Sequence, residues 1–447
     1  MIIDKLIAEK ILSFALSRKA DAAEVFLRAY SSTSIEVKDQ KVDAFDRARD
    51  IGAGLRVFTG ARMGFAFTTD LSDGALASLA EAAVTNARHT EPDSFHSLPE
   101  KPASAYHTAR IYDPEIVALS EKEKIERVMA MEREAFGVDV RIKRIRKASA
   151  DFSNAETLIL NTKGAEVYYT STACSSSIEV VAEEKGESQA GSDFDVNRFY
   201  RKLLIEEVGR RAARRALDLL GAKHIDSVKA PVVLEATVAQ EFLSLMASGF
   251  SAEGVQKKRS LFMGKLGHEV ASSVITVLDD GLLDGGLGTA PSDDEAVPMQ
   301  KKTVIEKGRL ALFLYNTFTA NKDKTVSTGN GMRGGFKGIP GVGLTNLYIE
   351  PGKLSPEDLI GPIDRGLYVT EIMGMHTANA ISGDFSVGAT GFWIEKGKKA
   401  YPVREITIAG NILDLMKHVD AVGSDLRFSG RIGSPSLRIK ELSIGGK

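Results

Sequence analysis

The chain has 447 residues, 43% hydrophobic and 26% charged, a composition ordinary for a soluble globular protein and too long for one core. A net charge of −2 and a pI of about 6.4 exclude the broad basic surface that grips nucleic acid by its phosphates, so no direct nucleic-acid binding is expected. Cys174 is the only cysteine, which excludes an intrachain disulfide and points to a reducing compartment, the cytoplasm.

In chain order, Ile3, Leu6, Ile7, Ile11 and Phe14 recur at helical spacing and predict a helix to about Arg18. Lys5, Glu9 and Lys10 interrupt it, so it does not read as a signal peptide. No apolar run reaches the length of a membrane span. Four short strands follow, Glu24–Tyr30, Ser34–Gln40, Gly52–Phe58 and Met63–Thr68, then an Ala-rich helix over Ser72–His89. Thr90–Pro114, with four prolines, reads as a long surface connection. Ser120 and Glu123 fit a capping box opening a helix to about Phe136.

Val140–Asp151 reads as a strand whose RIKRIRK centre alternates Ile142 and Ile145 with cations, the pattern of a self-protecting edge. A turn at Asn161–Gly164 leads to strands Ala165–Thr170 and Ser176–Glu184. Leu204, Val208, Ala212, Ala216 and Leu220 then place a helix over Asn197–Leu220. Its Arg210, Arg211, Arg214 and Arg215, with Glu206 and Glu207, read as a solvated face. Gly221–Ala230 looks like a boundary. It divides an N-terminal α+β domain, residues 1–225, from a mainly antiparallel β C-terminal domain, residues 226–447.

The second half holds one substantial helix, Thr237–Ala247, where Thr237 and Gln240 fit a capping box. Its short strands are Ile275–Leu278, Lys302–Glu306, Arg309–Leu314, Leu344–Ile349, Tyr368–Met373 and Ser436–Ser443, with a hairpin turning at Glu395–Lys398. The overall class is α+β.

Several motifs invite chemistry and fail on spacing. His268-Glu269 lacks the second imidazole one helical turn on, because Ser272 and Ser273 stand there. Gly329, Gly331 and Gly334 match a dinucleotide fingerprint, but GFKGIPGVG after them cannot open a helix, so a flexible loop or flap is expected. Asp279, Asp280, Asp284, Asp293, Asp294 and Glu295 do not have EF-hand spacing and read as turn residues carrying solvated charge. His376, Thr377, Asn379, Asp384 and Ser386 crowd a segment of small residues. That segment reads either as a place where a bound chain can lie close or as a polar crossing between strands.

GMHTANAISGDFSVGATGFWIEKGKKAYPV (residues 374–403) with GNI at 410–412 resembles the C-terminal signature of the TldD/PmbA family, named historically as modulators of DNA gyrase. DDEAVP (Asp293–Pro298), TNLYIEPG (Thr345–Gly352) and RIGSPSLRI (Arg431–Ile439) are similar to further family segments, so the resemblance spans essentially the whole chain. It implies a metal motif, H-E-x-x-x-H, on the helix after a PVVL-like strand and a further Cys ligand near the C-terminus. Here that strand is Pro231–Leu234, the helix carries no His around Leu243–Ser248, and Ser429 occupies the thiolate's place. This is the PmbA/TldE-type pattern.

The resemblance therefore implies a subunit without a catalytic metal, paired with a TldD-like metallopeptidase subunit that holds the zinc, or with itself as a dimer. Its role would be to shape a chamber in which unfolded peptides are cleaved or trimmed. His376, Thr377, Asn379, Asp384 and Ser386 are the expected substrate contacts, and no catalytic or metal-binding residue is expected in this chain. A gyrase-binding modulator and a self-sufficient homodimeric peptidase are the alternatives.

Overall fold

The structure, a computed structural model, describes residues 3–446. Helix α1 (Lys5–Ser17) begins at Asp4, whose side chain caps Leu6. Strands β1 (Ala22–Lys38), β2 (Lys41–Thr59) and β3 (Arg62–Thr68) follow, then helices α2 (Asp73–His89), α3 (Pro114–Ala118) and α4 (Glu121–Phe136). The capping box at Ser120 and Glu123 is present. Strands β4 (Ile142–Asn161), β5 (Glu166–Glu184) and β6 (Glu187–Asn197) complete a sheet of order β3-β2-β1-β4-β5-β6, and α5 (Ile205–Asp218) returns over it.

These strands are longer than sequence reading predicts. Glu24–Tyr30 and Ser34–Gln40 are one strand, because Ser31–Thr33 keep their pairing with β2 and β4. The turn comes only at Asp39 and Gln40, both at positive φ (52° and 58°). No glycine marks it. The buried carboxylate of Glu132 holds it instead, accepting from Asp39 N at 2.9 Å and Gln40 N at 2.6 Å. Likewise the two strands expected within 165–184 are one, a further strand, β6, follows it, and the helix expected from Asn197 starts only at Ile205, after a 3-10 turn at Tyr200–Lys202.

The RIKRIRK segment belongs to an inner strand, yet residues 142–147 run past the end of the β1 pairing and form their sheet ladder with β5 alone. Glu183 and Glu179 of β5 pair with Arg144 and Arg146, and Glu36 of β1 pairs with Lys147.

Val25, Leu27, Ile35 and Val37 alternate onto one face of β1. At one end of the sheet α1 and α2 cover that face with Ile11 and Leu76. At the other, α4 and α5 cover it with Val128 and Val208. On the opposite face Phe26 packs against Ala296 and Phe336 of the C-terminal half.

That half starts with β7 (Val228–Leu234) and α6 (Ala236–Ala247), then the short helix α7 (Ala252–Gln256). Strands β8 (Val277–Asp280), β9 (Lys301–Glu306) and β10 (Arg309–Leu310) precede α8 (Thr317–Lys322), and β11 (Gly331–Met332), β12 (Gly341–Val342) and β13 (Leu347–Ile349) precede α9 (Pro356–Ile360). The chain ends with β14 (Arg365–Met373), β15 (Asp384–Glu395), β16 (Lys398–Asn411), α10 (Ile412–Lys417), β17 (Val419–Val422), β18 (Arg427–Ser429), β19 (Ile432–Ser434) and β20 (Leu437–Gly445). Two mixed sheets result, β16-β15-β14-β7-β20-β17 and β10-β9-β8-β13-β19-β18. Their apolar faces and α6 share one core containing Val232, Phe242, Val304, Leu347 and Trp393.

Most of the acidic loop is not solvated; of its six carboxylates only Asp284 is exposed. Asp279, Asp293 and Glu295 are fully buried. Lys302 Nζ lies 2.8 Å from Asp279, and Arg56 of β2 bridges Glu24 and Glu295, each at 3.0 Å. Asp293 does form a turn, accepting from the amides of Glu295 and Val297, but it forms it inside the protein. The Gly-rich stretch is pinned here too, because Arg333 pairs with Glu24 and buried Asn330 bonds Asp279. The excess of buried carboxylates has a cost: burial, with Glu295 beside it, pushes the Asp293 carboxyl well above the usual range.

Candidate functional site

Helix α6 follows directly from β7, an inner strand lying parallel to β14 and antiparallel to β20. Val238, Phe242, Leu243 and Met246, at helical spacing, are buried in the core. The capping box read at Thr237 and Gln240 does not form, because Glu235 is the N-cap; its carboxylate accepts from the Thr237 hydroxyl and bonds none of the helix's free amides. Gln240 instead turns inward and donates its amide to the carbonyl of Arg427 on β18. This bond stitches α6 to the tail, where it packs along β18 and β19.

The helix and the Ser429 segment, far apart in sequence, are thus neighbours. At Leu243–Ser248 the side chains turned inward are Leu243 and Met246, while Ser244, Ser248 and Ser429 are exposed. Hydroxyls and a thioether are poor Zn²⁺ donors beside imidazole and thiolate, so these residues do not fit a zinc ion. Among the described residues, no three His, Cys, Asp or Glu side chains converge to hold a metal.

Beside the start of α6, a cavity of about 270 Å³ opens between the two halves of the chain, walled by β6, α5, α6, β14 and the β15–β16 hairpin. Two ion-pair sets close it. Asp193 of β6 binds Arg211 and, at 2.5 Å, Arg427. Arg215 of α5 binds Glu235. The arginines of α5 are therefore divided: Arg210 and Arg214 pair with Glu207 at the surface, while Arg211 holds Asp193 of its own half and Arg215 reaches Glu235 of the other; Arg427, sharing Asp193, makes the second tie between the halves.

Glu241 of α6 and Glu371 of β14 also line the cavity and make no hydrogen bond or ion pair among the described residues. The protein mass around them raises both carboxyls above their ordinary range, and Glu371 adds to the effect on Glu241. Lys399 sits 3.7 Å from the ring centroid of Tyr368, its pKa lowered chiefly by desolvation. The cavity thus offers both signs of charge beside the apolar Phe392 and Ile372, a lining able to hold a polar chain with charged groups. Nothing local in the sequence marks these residues. The one usable sign is Glu235, a carboxylate immediately after the apolar run Val232–Leu234.

The five residues read as substrate contacts lie elsewhere, His376, Thr377 and Asn379 on the link from β14 to β15 and Asp384 and Ser386 at the start of β15, and none lines this cavity. All are exposed. Thr377 Oγ1 donates to Gly374 O at 2.8 Å, and Asn379 Oδ1 accepts from Ile381 N at 2.9 Å and Ser382 N at 3.1 Å. Asp384 accepts from Ser382 Oγ at 2.7 Å and Asn411 Nδ2 at 2.9 Å, bonds that hold its carboxyl below the ordinary range. Thr377, Asn379 and Asp384 are thus engaged in the crossing, while His376 and Ser386 face solvent beside them.

Three family profiles match the chain: PmbA/TldA metallopeptidase domain 1 over residues 23–87, the central domain over 114–220 and the C-terminal domain over 227–446. The first two share one sheet here and correspond to its two helix-covered ends. A protein named metalloprotease PmbA from Escherichia coli O157:H7 is 31% identical over 445 residues, covering 99% of this chain and 96% of that protein. A metalloprotease TldD homolog from Haemophilus influenzae is 28% identical over 461 residues, covering 96% and 94%. Among solved structures, one from Thermotoga maritima described as a proposed modulator of a DNA gyrase superposes with a TM-score of 0.91 at 29% identity, covering 99% of this chain and all of that one. TldE from Thermococcus kodakarensis superposes at 0.90 with 25% identity, covering 98% and 100%.

Proposed function

The chain belongs to the PmbA/TldD metallopeptidase family, and from that premise we propose that it is the TldE-like, metal-free subunit of a TldD/TldE-type metalloprotease. The observation supporting this reading is the contact between α6 and β18–β19: the resemblance expects the family's ligands around Leu243–Ser248 and at Ser429, and the chain carries no imidazole or thiolate in either stretch. Zinc and the hydrolytic step then belong to a TldD-like partner. This chain completes the chamber and holds unfolded peptides, the cavity beside α6 and the exposed 376–386 crossing being its candidate contact surfaces. The complex works in the cytoplasm, in keeping with a lone, buried Cys174.

Metal analysis of the purified chain, with hydrolysis of an unstructured peptide assayed with and without a TldD-type partner, tests the reading. Activity is expected only from the pair. One zinc per chain together with chelator-sensitive turnover by this chain alone would overturn it.

A further inference from the structure

Strand β5 is paired along its full length on one side only. Glu166–Ala173 lie against β4, whereas β6 joins β5 from Cys174 onward. The outward direction of the free edge follows from Thr172. Its N–H donates to Ile111 O at 2.9 Å and its carbonyl accepts from Arg198 Nη1 at 3.1 Å, so both main-chain groups face away from β4. The β4–β5 register runs unbroken from Tyr168 to Thr172, and main-chain groups alternate sides along a strand. Those of Tyr168 and Thr170 therefore face outward as well, and neither has a hydrogen-bond partner among the described residues.

What they face is a groove of about 410 Å³ whose far wall is the loop from Tyr106 to Tyr112. That loop is fixed at both ends. The Tyr106 hydroxyl donates to Ala296 O at 2.9 Å, and Ile111 holds Thr172. Short of that bond it arches past Tyr168 and Thr170 without pairing with them. The devices that usually blunt a free edge, charge, proline or a bulge, are missing from Val167 to Ala173. Instead Tyr112 and Tyr168 stand at the groove 42% and 52% exposed, rigid amphipathic surfaces suited to an alternating side chain.

We propose that this edge, at Tyr168 and Thr170, binds an extended peptide segment as an added strand in the groove beneath the 106–112 loop. Main-chain hydrogen bonds would give sequence-tolerant affinity, and the tyrosines would favour an apolar or aromatic residue on the bound strand. The inference deepens the peptide-holding reading and rests on it.

The test uses the full-length chain alone and an end-blocked unstructured peptide containing Tyr, Val and Ser. Amide hydrogen exchange with saturating peptide is expected to protect the fragment spanning Glu166–Thr172. Thr170→Pro removes an N–H that bonds nothing in the free chain, at an edge position where proline is tolerated. It is expected to weaken binding by roughly tenfold, as measured by fluorescence anisotropy, with the melting curve retained. If that variant does not fold, Tyr168→Ala, which leaves the main chain intact, is read in its place with the exchange footprint. Protection appearing only beside α6 or along another edge would overturn this site and leave the peptide-holding role standing. Protection of the edge that grows with protein concentration without peptide would mean that a second copy occupies it. Absence of any binding would overturn the inference, while the metal-and-hydrolysis assay decides the wider reading separately.

Discussion

Arg56→Met should be the most informative single change in the fold. Arg56 is 5% exposed and lies 3.0 Å from both Glu24 and Glu295, whose side chains are fully buried. Burial alone would lower its pKa, yet the two carboxylates outweigh burial and leave it raised. At an effective dielectric of about 20, each contact is worth about 5 kcal/mol before the cost of desolvating the guanidinium. In the variant Glu24 keeps Arg333, while Glu295 keeps only the Thr317 amide at 2.8 Å. One carboxylate is then buried without a cation, a defect that typically costs about 3–5 kcal/mol. Urea denaturation at pH 7, followed together with exchange of residues 293–297, measures it.

A double variant supplies a second readout. Adding Glu295→Gln to Arg56→Met should recover most of the loss, because a buried pair replaced whole is nearly neutral. A loss under about 1 kcal/mol, or a double variant as unstable as the two losses added, would refute the assignment of this cluster as the bond between the halves.

Glu241 and Glu371 have raised carboxyls in the folded chain, so Glu241→Gln and Glu371→Gln should each raise the thermal midpoint at pH 7 and lose that advantage near pH 4, where both states are protonated. An advantage that persists at pH 4 would show that the charge is not the cause. Gly54→Ala should destabilise by about 1–3 kcal/mol or free the Arg333–Lys337 turn, because a Cβ there would overlap the Phe336 carbonyl; unchanged stability and unchanged exchange of the turn would contradict it. Gln240→Leu strands the Arg427 carbonyl and should cost about 1–3 kcal/mol, with faster exchange at Arg427–Ser429 as its local sign.

The sequence by itself determined the periodic elements. The helix read from the Ile3–Phe14 periodicity (with Leu6 left exposed), the capping box at Ser120 and Glu123 and the hairpin turning at Glu395–Lys398 stand, because each rests on neighbours a few residues apart. Separate motifs from Asp293 to Ile439 were enough to identify the family. Spacing also told that Gly329–Gly334 opens no helix. Where a local signal was replaced by a distant one, sequence reading failed: Asp39 and Gln40 turn without glycine because Glu132, far along the chain, holds their amides.

Only the tertiary structure decided the fate of charge. Whether Asp279, Glu295, Arg211 or Arg215 meets water or a buried counter-ion depends on partners between 18 and 239 residues away. No window of sequence contains both members of such a pair. The same holds for the open edge of β5, which exists because β6 starts its pairing late and the 106–112 loop joins the strand only at Thr172. Periodicity reports which side of an element is apolar. It does not report what the fold sets against that side, and there the chemistry of this protein is settled.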